Sequence, residues 1–360
     1  MKRVKSLDGI RAMSILMLLF AHSLGAVNPT NLSKNEYNLL YSEGGLSVIN
    51  FFVISGYLIT KMLLIEREKR GNISLRNFYL RRLFRVFPVF YLYIIVMIII
   101  KCFFIPTLFE NYTIVGFAAL YLWNYVHVFN IHASASDHVT FIFGHFWSLA
   151  IEEQFYLLWP IMLIKLNIGT LKKVVIGLIL IIPLLRAAAF FLIPADRGKE
   201  DMMILMAGGN SILIGCLGAL IENTNFFKEK LLRVIYNKSL IFFTAIFLFI
   251  ISPLLERYLG RYYAVPAGNS LISVCILILL FWLIYVPSKI SDFFNTKAMV
   301  HLGLLSYSLY VWQQPFLNGG THFWFNRFPQ NIPLIFAVAY ISYYLVEMPV
   351  LKIKKRFERI

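Results

Sequence analysis

Runs of about twenty apolar residues recur along the chain, each bounded by short polar stretches rich in Lys and Arg. A bilayer-crossing helix needs about 20 mostly apolar residues, so the pattern predicts an all-α, polytopic membrane helix bundle. Ten segments fit: Leu7–Val27, Leu46–Leu64, Phe87–Ile105, Phe146–Ile164, Leu171–Ile193, Met202–Ile221, Lys238–Leu255, Ala267–Val286, Met299–Leu317 and Asn331–Val350. An eleventh, Tyr112–Phe129, is weaker, and charge decides about it. If it crosses, Lys165, Lys172, Lys173 and the basic 228–238 loop fall outside. If it does not, Glu66–Arg85, Lys165–Lys173, Lys228–Lys238 and the Lys352–Arg359 tail all share one side. Basic loops favour the cytoplasmic side. The expectation is about ten transmembrane helices, both termini cytoplasmic, and an outside or re-entrant stretch from about Pro106 to Gly144.

Composition agrees. The chain is 59% hydrophobic and only 14% charged, against about 25% charged in an ordinary soluble domain. The net charge of +16 alone would suit a nucleic-acid binder, but the apolar spans exclude one, and positive-inside loops account for the charge. Cys102, Cys216 and Cys275 lie in apolar stretches and read as packed thiols rather than a disulfide framework or metal site. The basic start before an apolar run imitates a signal peptide, but Asp8 and Arg11 interrupt that run, so it reads as an uncleaved first span. With the spans removed, 360 residues leave no room for a separate soluble domain. Residues 1–360 form a single integral-membrane domain on this reading.

The chemistry lies in charges placed inside these spans, where each is costly and functional by default. Arg11 and His22 are eleven positions apart, within roughly 20° of one helical face and about 16 Å apart along it. One face thus carries a cation near one membrane surface and a titratable base near the other. His22 lies roughly 8 Å below the outer surface, and Glu152, Glu153 and Arg186 about 9–10 Å below it. The four are expected to share one layer and line a wet cavity; the bland alternatives are a structural ion-pair network and a packing histidine. At the opposite face Arg81, Arg82 and Arg85, with Arg11, suit a cytoplasmic anion site, because the guanidinium fork donates two parallel bonds to phosphate. Topology and headgroup contact would also explain the loop arginines. Ser55-Gly56 puts small residues in the second span, where packing is the preferred reading. His127, His132, His138 and His145 are irregularly spaced and lack nearby thiolates, so no metal site is expected. Glu347 is expected to pair with the basic tail. Tyr121, Trp123, Tyr125 and Trp324 suit interfacial anchoring or stacking on sugar rings.

Taken together, these residues resemble the acyltransferase-3 family of bacterial membrane O-acyltransferases, over almost the whole chain. The opening is Leu7-Asp8-Gly9-Ile10-Arg11 with His22 downstream. The second span carries Phe51-Phe52-Val53-Ile54-Ser55-Gly56-Tyr57-Leu58, and the third is preceded by Arg81-Arg82-Leu83-Phe84-Arg85. The most distinctive block runs Trp147-Ser148-Leu149-Ala150-Ile151-Glu152-Glu153-Gln154-Phe155-Tyr156, and Ser306-Tyr307-Ser308-Leu309-Tyr310-Val311-Trp312 and Glu347-Met348-Pro349 follow in order. One position departs. Many members have a histidine two residues before the proline that follows the Tyr-Trp motif; here Gln313-Gln314 precede Pro315, and no catalytic role is assigned to Gln313.

The resemblance implies transfer of an acyl group, most often acetyl, from cytoplasmic acyl-CoA to a hydroxyl of a cell-surface carbohydrate such as O-antigen or exopolysaccharide, in the bacterial cytoplasmic (inner) membrane. No cofactor would be bound; acetyl-CoA or another acyl-CoA would be a co-substrate. Partners would be acyl-CoA, a carbohydrate or glycolipid acceptor and the bilayer, with no nucleic acid. Arg11, Arg82 and Arg85 would hold CoA phosphates. His22 would act as general base, oriented by Glu152 or Glu153, and a transient acyl-histidine is the rival chemistry. Arg186, Ser148 and Trp147 are candidate contacts to the transition state or the acceptor. The alternative is a proton-coupled transporter of a sugar or glycolipid, although the paired halves or matching Gly/Pro-broken spans common in transporters are not seen.

Overall fold

The structure is a computed structural model that describes residues 4–26, 34–109, 111–129, 139–194, 196–317 and 323–354. Among these residues all regular structure is helical. In chain order the helices are α1 (Lys5–Ala26), α2 (Lys34–Arg70), α3 (Leu75–Phe103), α4 (Tyr112–Ala119), α5 (Val139–Gly144), α6 (Phe146–Lys165), α7 (Ile168–Leu192) and α8 (Arg197–Glu222). After a helical stretch at 227–235 come α9 (Lys238–Leu259) and α10 (Arg261–Tyr285), then α11 (Lys289–Phe294) and α12 (Lys297–Trp312), and finally α13 (Asn331–Ile353). Short polar side chains set the starts. Ser74, Asn167, Asp196 and Thr296 each accept a hydrogen bond from the backbone N–H three residues on, satisfying a donor the first turn would leave orphaned.

Among the described residues, seven helices are long and apolar enough to cross a membrane: most of α2, α3, α7, most of α8, α9, α10 and α13. The other three predicted spans are helices as well, but of a different kind. α1 carries Lys5, Asp8 and Arg11, and α6 carries Glu152, Glu153 and Lys165. α12 has 16 residues rather than the expected run to Leu317. It stops because Pro315 has no N–H to donate and disfavours helical backbone at Gln314 before it. α1 packs between α2 and α12, and α6 contacts α2, α7 and α8. Packing against protein supplies partners for polar groups that lipid would leave unsatisfied.

The weak Tyr112–Phe129 segment is broken. α4 has eight residues, about 12 Å of helix, too short to cross. The chain then turns at Tyr121, whose φ is 57°, and makes one 3₁₀ turn at Trp123–Tyr125. The stretch is pinned rather than loose: Tyr121 stacks on Phe90 with centroids 4.2 Å apart, and Gln154 donates to the Tyr121 carbonyl at 2.8 Å.

Close helix contacts explain the small residues in the motifs. A Cβ on Gly56 would come within 2.0 Å of the Ile212 carbonyl oxygen, and one on Gly215 within 2.1 Å of that of Val53. α2 and α8 therefore pack backbone to backbone. α1 and α12 do the same, since a Cβ on Gly303 would meet the Asp8 carbonyl oxygen at 2.0 Å. α1 and α2 are antiparallel, tied by Asn50 donating to Ser14 at 2.6 Å. The start of α1 thus lies at the end of the bundle that carries the Glu66–Arg85 loop, called the basic end below.

Candidate active site

A cavity of about 90 Å³ opens between α1, α2, α3, α6 and α12. A water needs about 10–15 Å³ measured this way, so the cavity admits a few waters or a narrow chain. Helical spacing sets its lining. Ser148, Glu152 and Tyr156 recur at four-residue intervals along one stripe of α6, with Glu153 beside them; Ser306, Tyr307 and Tyr310 form a matching stripe on α12. On α3, Arg82 and Arg85 face inward three positions apart. Arg81 is turned about 100° away and pairs with buried Glu66 at 2.6 Å instead. α1 contributes Arg11, and α2 contributes Val48, Phe51 and Phe52.

The charges in this cavity are only partly neutralised by contact. Arg85 is bonded to Glu347 at 2.5 Å, and Glu347 also accepts from Ser308 at 2.8 Å. Glu347 thus pairs with Arg85 rather than with the basic tail, of which residues 355–360 lie outside the described residues; it is fully buried, and only a nearby buried cation can compensate it. The Arg82 guanidinium lies 3.9 Å from the centroid of the Tyr156 ring, a cation–π contact. Tyr156 is hydrogen-bonded to Ser55 and stands 3.5 Å from a Glu152 carboxylate oxygen. Glu152 feels the positive charges of Arg82 and Arg11, yet the described ion pairs include no contact from either arginine to Glu152 or Glu153. Two guanidinium groups and two carboxylates therefore face one small cavity without forming ion pairs among themselves. Ser148 and Tyr310 are hydrogen-bonded at 2.5 Å, and Tyr310 donates to the His145 carbonyl at 2.9 Å, which locks the α6 and α12 stripes together.

His22 is not in the wall of this cavity. Its Nδ1 is 3.3 Å from Oε1 of Gln313, a fully buried residue at the end of α12. With the amide oxygen accepting from Nδ1–H, the basic lone pair sits on Nε2. The hydrogen bond described for His22 is thus to Gln313, whereas Glu152 and Glu153 line the cavity. The sequence did carry a signal: Gln313 is the position that departs from the family pattern, discounted because a glutamine has no acid–base chemistry of its own.

The expected single layer of His22, Glu152, Glu153 and Arg186 is divided among three places: the carboxylates with Arg11, Arg82 and Arg85, His22 with Gln313, and Arg186 in a second cavity. Depth counted from a segment end gives a position along an axis, whereas facing depends on rotation and neighbours. The second cavity, about 410 Å³, lies where α7 ends and α8 begins, opposite the basic end, and includes Trp147, Phe52, Glu200 and Arg261 in its wall. Trp147 and Ser148 are thus split between the cavities, and the edge-to-face pair Phe52–Trp147, with centroids 5.9 Å apart, stands between them. Arg186 is 1% exposed and gives one hydrogen bond, to the Ala264 carbonyl at 3.1 Å. Of the four histidines considered for a metal, His127 bonds Asp201 at 2.8 Å and His145 the Val311 carbonyl at 3.1 Å; His132 and His138 lie outside the described residues.

A family described as an acyltransferase domain matches residues 4–348. The chain belongs to the acyltransferase-3 family. Among curated relatives it is similar to the peptidoglycan O-acetyltransferase OatA of Listeria monocytogenes, with 28% identity over 98% of this chain and 56% of the relative. It is also similar to the O-acetyltransferase OatA of Staphylococcus aureus, with 27% identity over 96% of this chain and 57% of the relative. The chain spans just over half the length of these relatives. No solved structure matches it.

Proposed function

We propose that this acyltransferase-3 chain is a multi-pass O-acetyltransferase of the bacterial cytoplasmic membrane, moving an acetyl group from cytoplasmic acetyl-CoA to a hydroxyl of a cell-surface carbohydrate. The observation that carries the reading is the small cavity in which Arg11 and Arg82 face Glu152 and Glu153 without pairing to them. A purely structural charge network would close into contacts, as Lys61 does with Glu222 at 2.7 Å. A cavity of about 90 Å³ suits a thin donor arm.

On this reading both termini are cytoplasmic, and all ten predicted helices cross, with α1, α6 and α12 packed against the others. Arg11 and Arg82, with Arg85 held by Glu347, form the cation set for CoA phosphates. The thioester would pass along the Arg11–His22 face. His22 Nε2 would take the acceptor proton as the hydroxyl oxygen attacks the thioester carbonyl. The C–S bond breaks, and the leaving CoA sulfur recovers that proton from the imidazolium. Gln313 would hold the imidazole ring in place, and Glu152 and Glu153 would balance the arginine charge once the donor has left.

The test is CoA release by the purified protein in nanodiscs, given acetyl-CoA and a pooled extract of cell-surface glycans, with His22→Ala alongside. The expected result is glycan-dependent release in the wild type and a loss of about a hundredfold or more in the variant. No release from folded wild type would discard the enzyme reading in favour of a permease, which ignores acetyl-CoA.

A further inference from the structure

The second cavity holds a feature that donor binding does not need. The Arg186 guanidinium is buried, yet only Nη2 has a partner, the Ala264 carbonyl; Nε and Nη1 have none. A buried charged donor left unsatisfied is expensive, and Arg186 belongs to the wall of the cavity, so its donors have a place to act. The other charges there cancel: Glu200 is bonded to Arg261 at 2.6 Å, with both side chains about half exposed at the mouth. The nearby carboxylate Asp201 is held by His127 at 2.8 Å. Arg186 is thus the excess positive charge of the cavity. The remaining wall is mostly apolar, with the Trp147 and Phe52 rings among Val48, Ile49, Met203 and Val265 and a polar group at Asn269, a flat apolar surface with few polar groups of the kind that binds small ligands.

We propose that this cavity is the acceptor site and that it takes an anionic acceptor, a glycan whose carboxylate or phosphate oxygens receive the Nε and Nη1 bonds of Arg186. The inference rests on the acetyl-transfer reading for the word acceptor, but the oxyanion site itself does not. Nε and one terminal nitrogen form the side of a guanidinium that matches two oxygens of one oxyanion. The Phe52–Trp147 pair separates this site from the donor cavity, and consecutive residues Trp147 and Ser148 address one each. The same oxyanion chemistry is offered by the headgroup of an acidic lipid, and the experiment separates the two sources.

Binding of methyl glucuronide and of methyl glucoside, which differ by a carboxylate against a hydroxymethyl group, is measured by thermal shift and by equilibrium dialysis. The full chain is held in nanodiscs of phosphatidylcholine, with or without phosphatidylglycerol. The glucuronide is expected to bind more tightly by about tenfold to a hundredfold, the range of a hydrogen-bonded charge pair. Arg186→Met should abolish that preference and Arg186→Lys retain part of it. Ala207→Leu, which narrows the cavity without touching the charge, should weaken both sugars. Loss of the glucuronide preference only in phosphatidylglycerol discs would assign the oxyanion to lipid and overturn a glycan acceptor. Equal binding of both sugars in every disc, or an unchanged preference in folded Arg186→Met, would overturn the oxyanion site itself. CoA release is recorded in parallel: charge-selective binding without turnover would sink the transferase reading alone, and turnover without charge selection would sink the present inference alone.

Discussion

At the residue scale the contact with most consequence is between His22 and Gln313. An amide is neither protonated nor ionised near neutral pH, so its contribution to a base is positional: it fixes which ring nitrogen carries hydrogen and which direction the lone pair points. Gln313→Leu removes the acceptor while keeping bulk. It is expected to lower kcat of acetyl transfer about tenfold, the worth of one positioning hydrogen bond, with KM for acetyl-CoA unchanged. Steady-state CoA release checks this, and Gln313→Glu, which restores an acceptor for Nδ1–H, should recover part of the rate. An unchanged kcat in Gln313→Leu would remove the residue from the mechanism. The contrast with Arg85–Glu347 is instructive: Glu347 is buried and accepts from both Arg85 and Ser308, which holds an arginine at the cavity wall.

At the element scale the bundle is organised by backbone contact. α2 and α8 touch through Gly56 and Gly215, and α1 and α12 through Gly303, so the polar helices are drawn close enough to bring Arg11, Glu152 and Tyr307 around one cavity. A side chain at Gly56 must push α8 away from α2, because the atom it meets is a backbone oxygen. Gly56→Val is expected to destabilise the protein by about 1–3 kcal/mol and to lower transfer as well, since α2 also carries Phe51 and Phe52 of the cavity wall. Gly177→Ala is the control: nothing lies within 4 Å of its Cβ, and alanine is the better helix former. Thermal unfolding of the two variants in detergent separates them. Equal stability of Gly56→Val and wild type would show that the two helices are not held at this distance.

At the scale of the whole molecule, the seven long apolar helices pack with α1, α6 and α12, and the proposed transfer needs a donor on one side of this bundle and an acceptor on the other. With α4 too short to cross, the proposed ten-span arrangement puts the loops around Lys172 and Lys228 on one side and Tyr112 and Trp324 on the other. In a background lacking Cys102, Cys216 and Cys275, cysteines at Lys172 and Lys228 are expected to react with an impermeant maleimide only after the membrane is opened. Cysteines at Tyr112 and Trp324, both well exposed, should react on intact cells. Reaction at Lys172 on intact cells would mean that the 112–129 stretch crosses after all.

The apolar pattern of the chain alone determined the helical class and the polytopic architecture, because both depend on local length and hydropathy, and the placement of basic loops set the 112–129 stretch apart as a non-crossing segment. It also identified Arg11, His22, Glu152, Glu153 and Arg186 as significant, since a charge in an apolar run is conspicuous without any partner. Which of these meet was decided only by tertiary structure. Arg11 lies more than a hundred positions before Glu152 and Glu153, and their meeting depends on helix rotation and on glycine contacts that no single segment encodes. Glu347 found Arg85 and His22 found Gln313 across 262 and 291 positions. Arg186 was carried away from the carboxylates because α7 delivers it beside the start of α8, where a second cavity had room for its unpaired nitrogens.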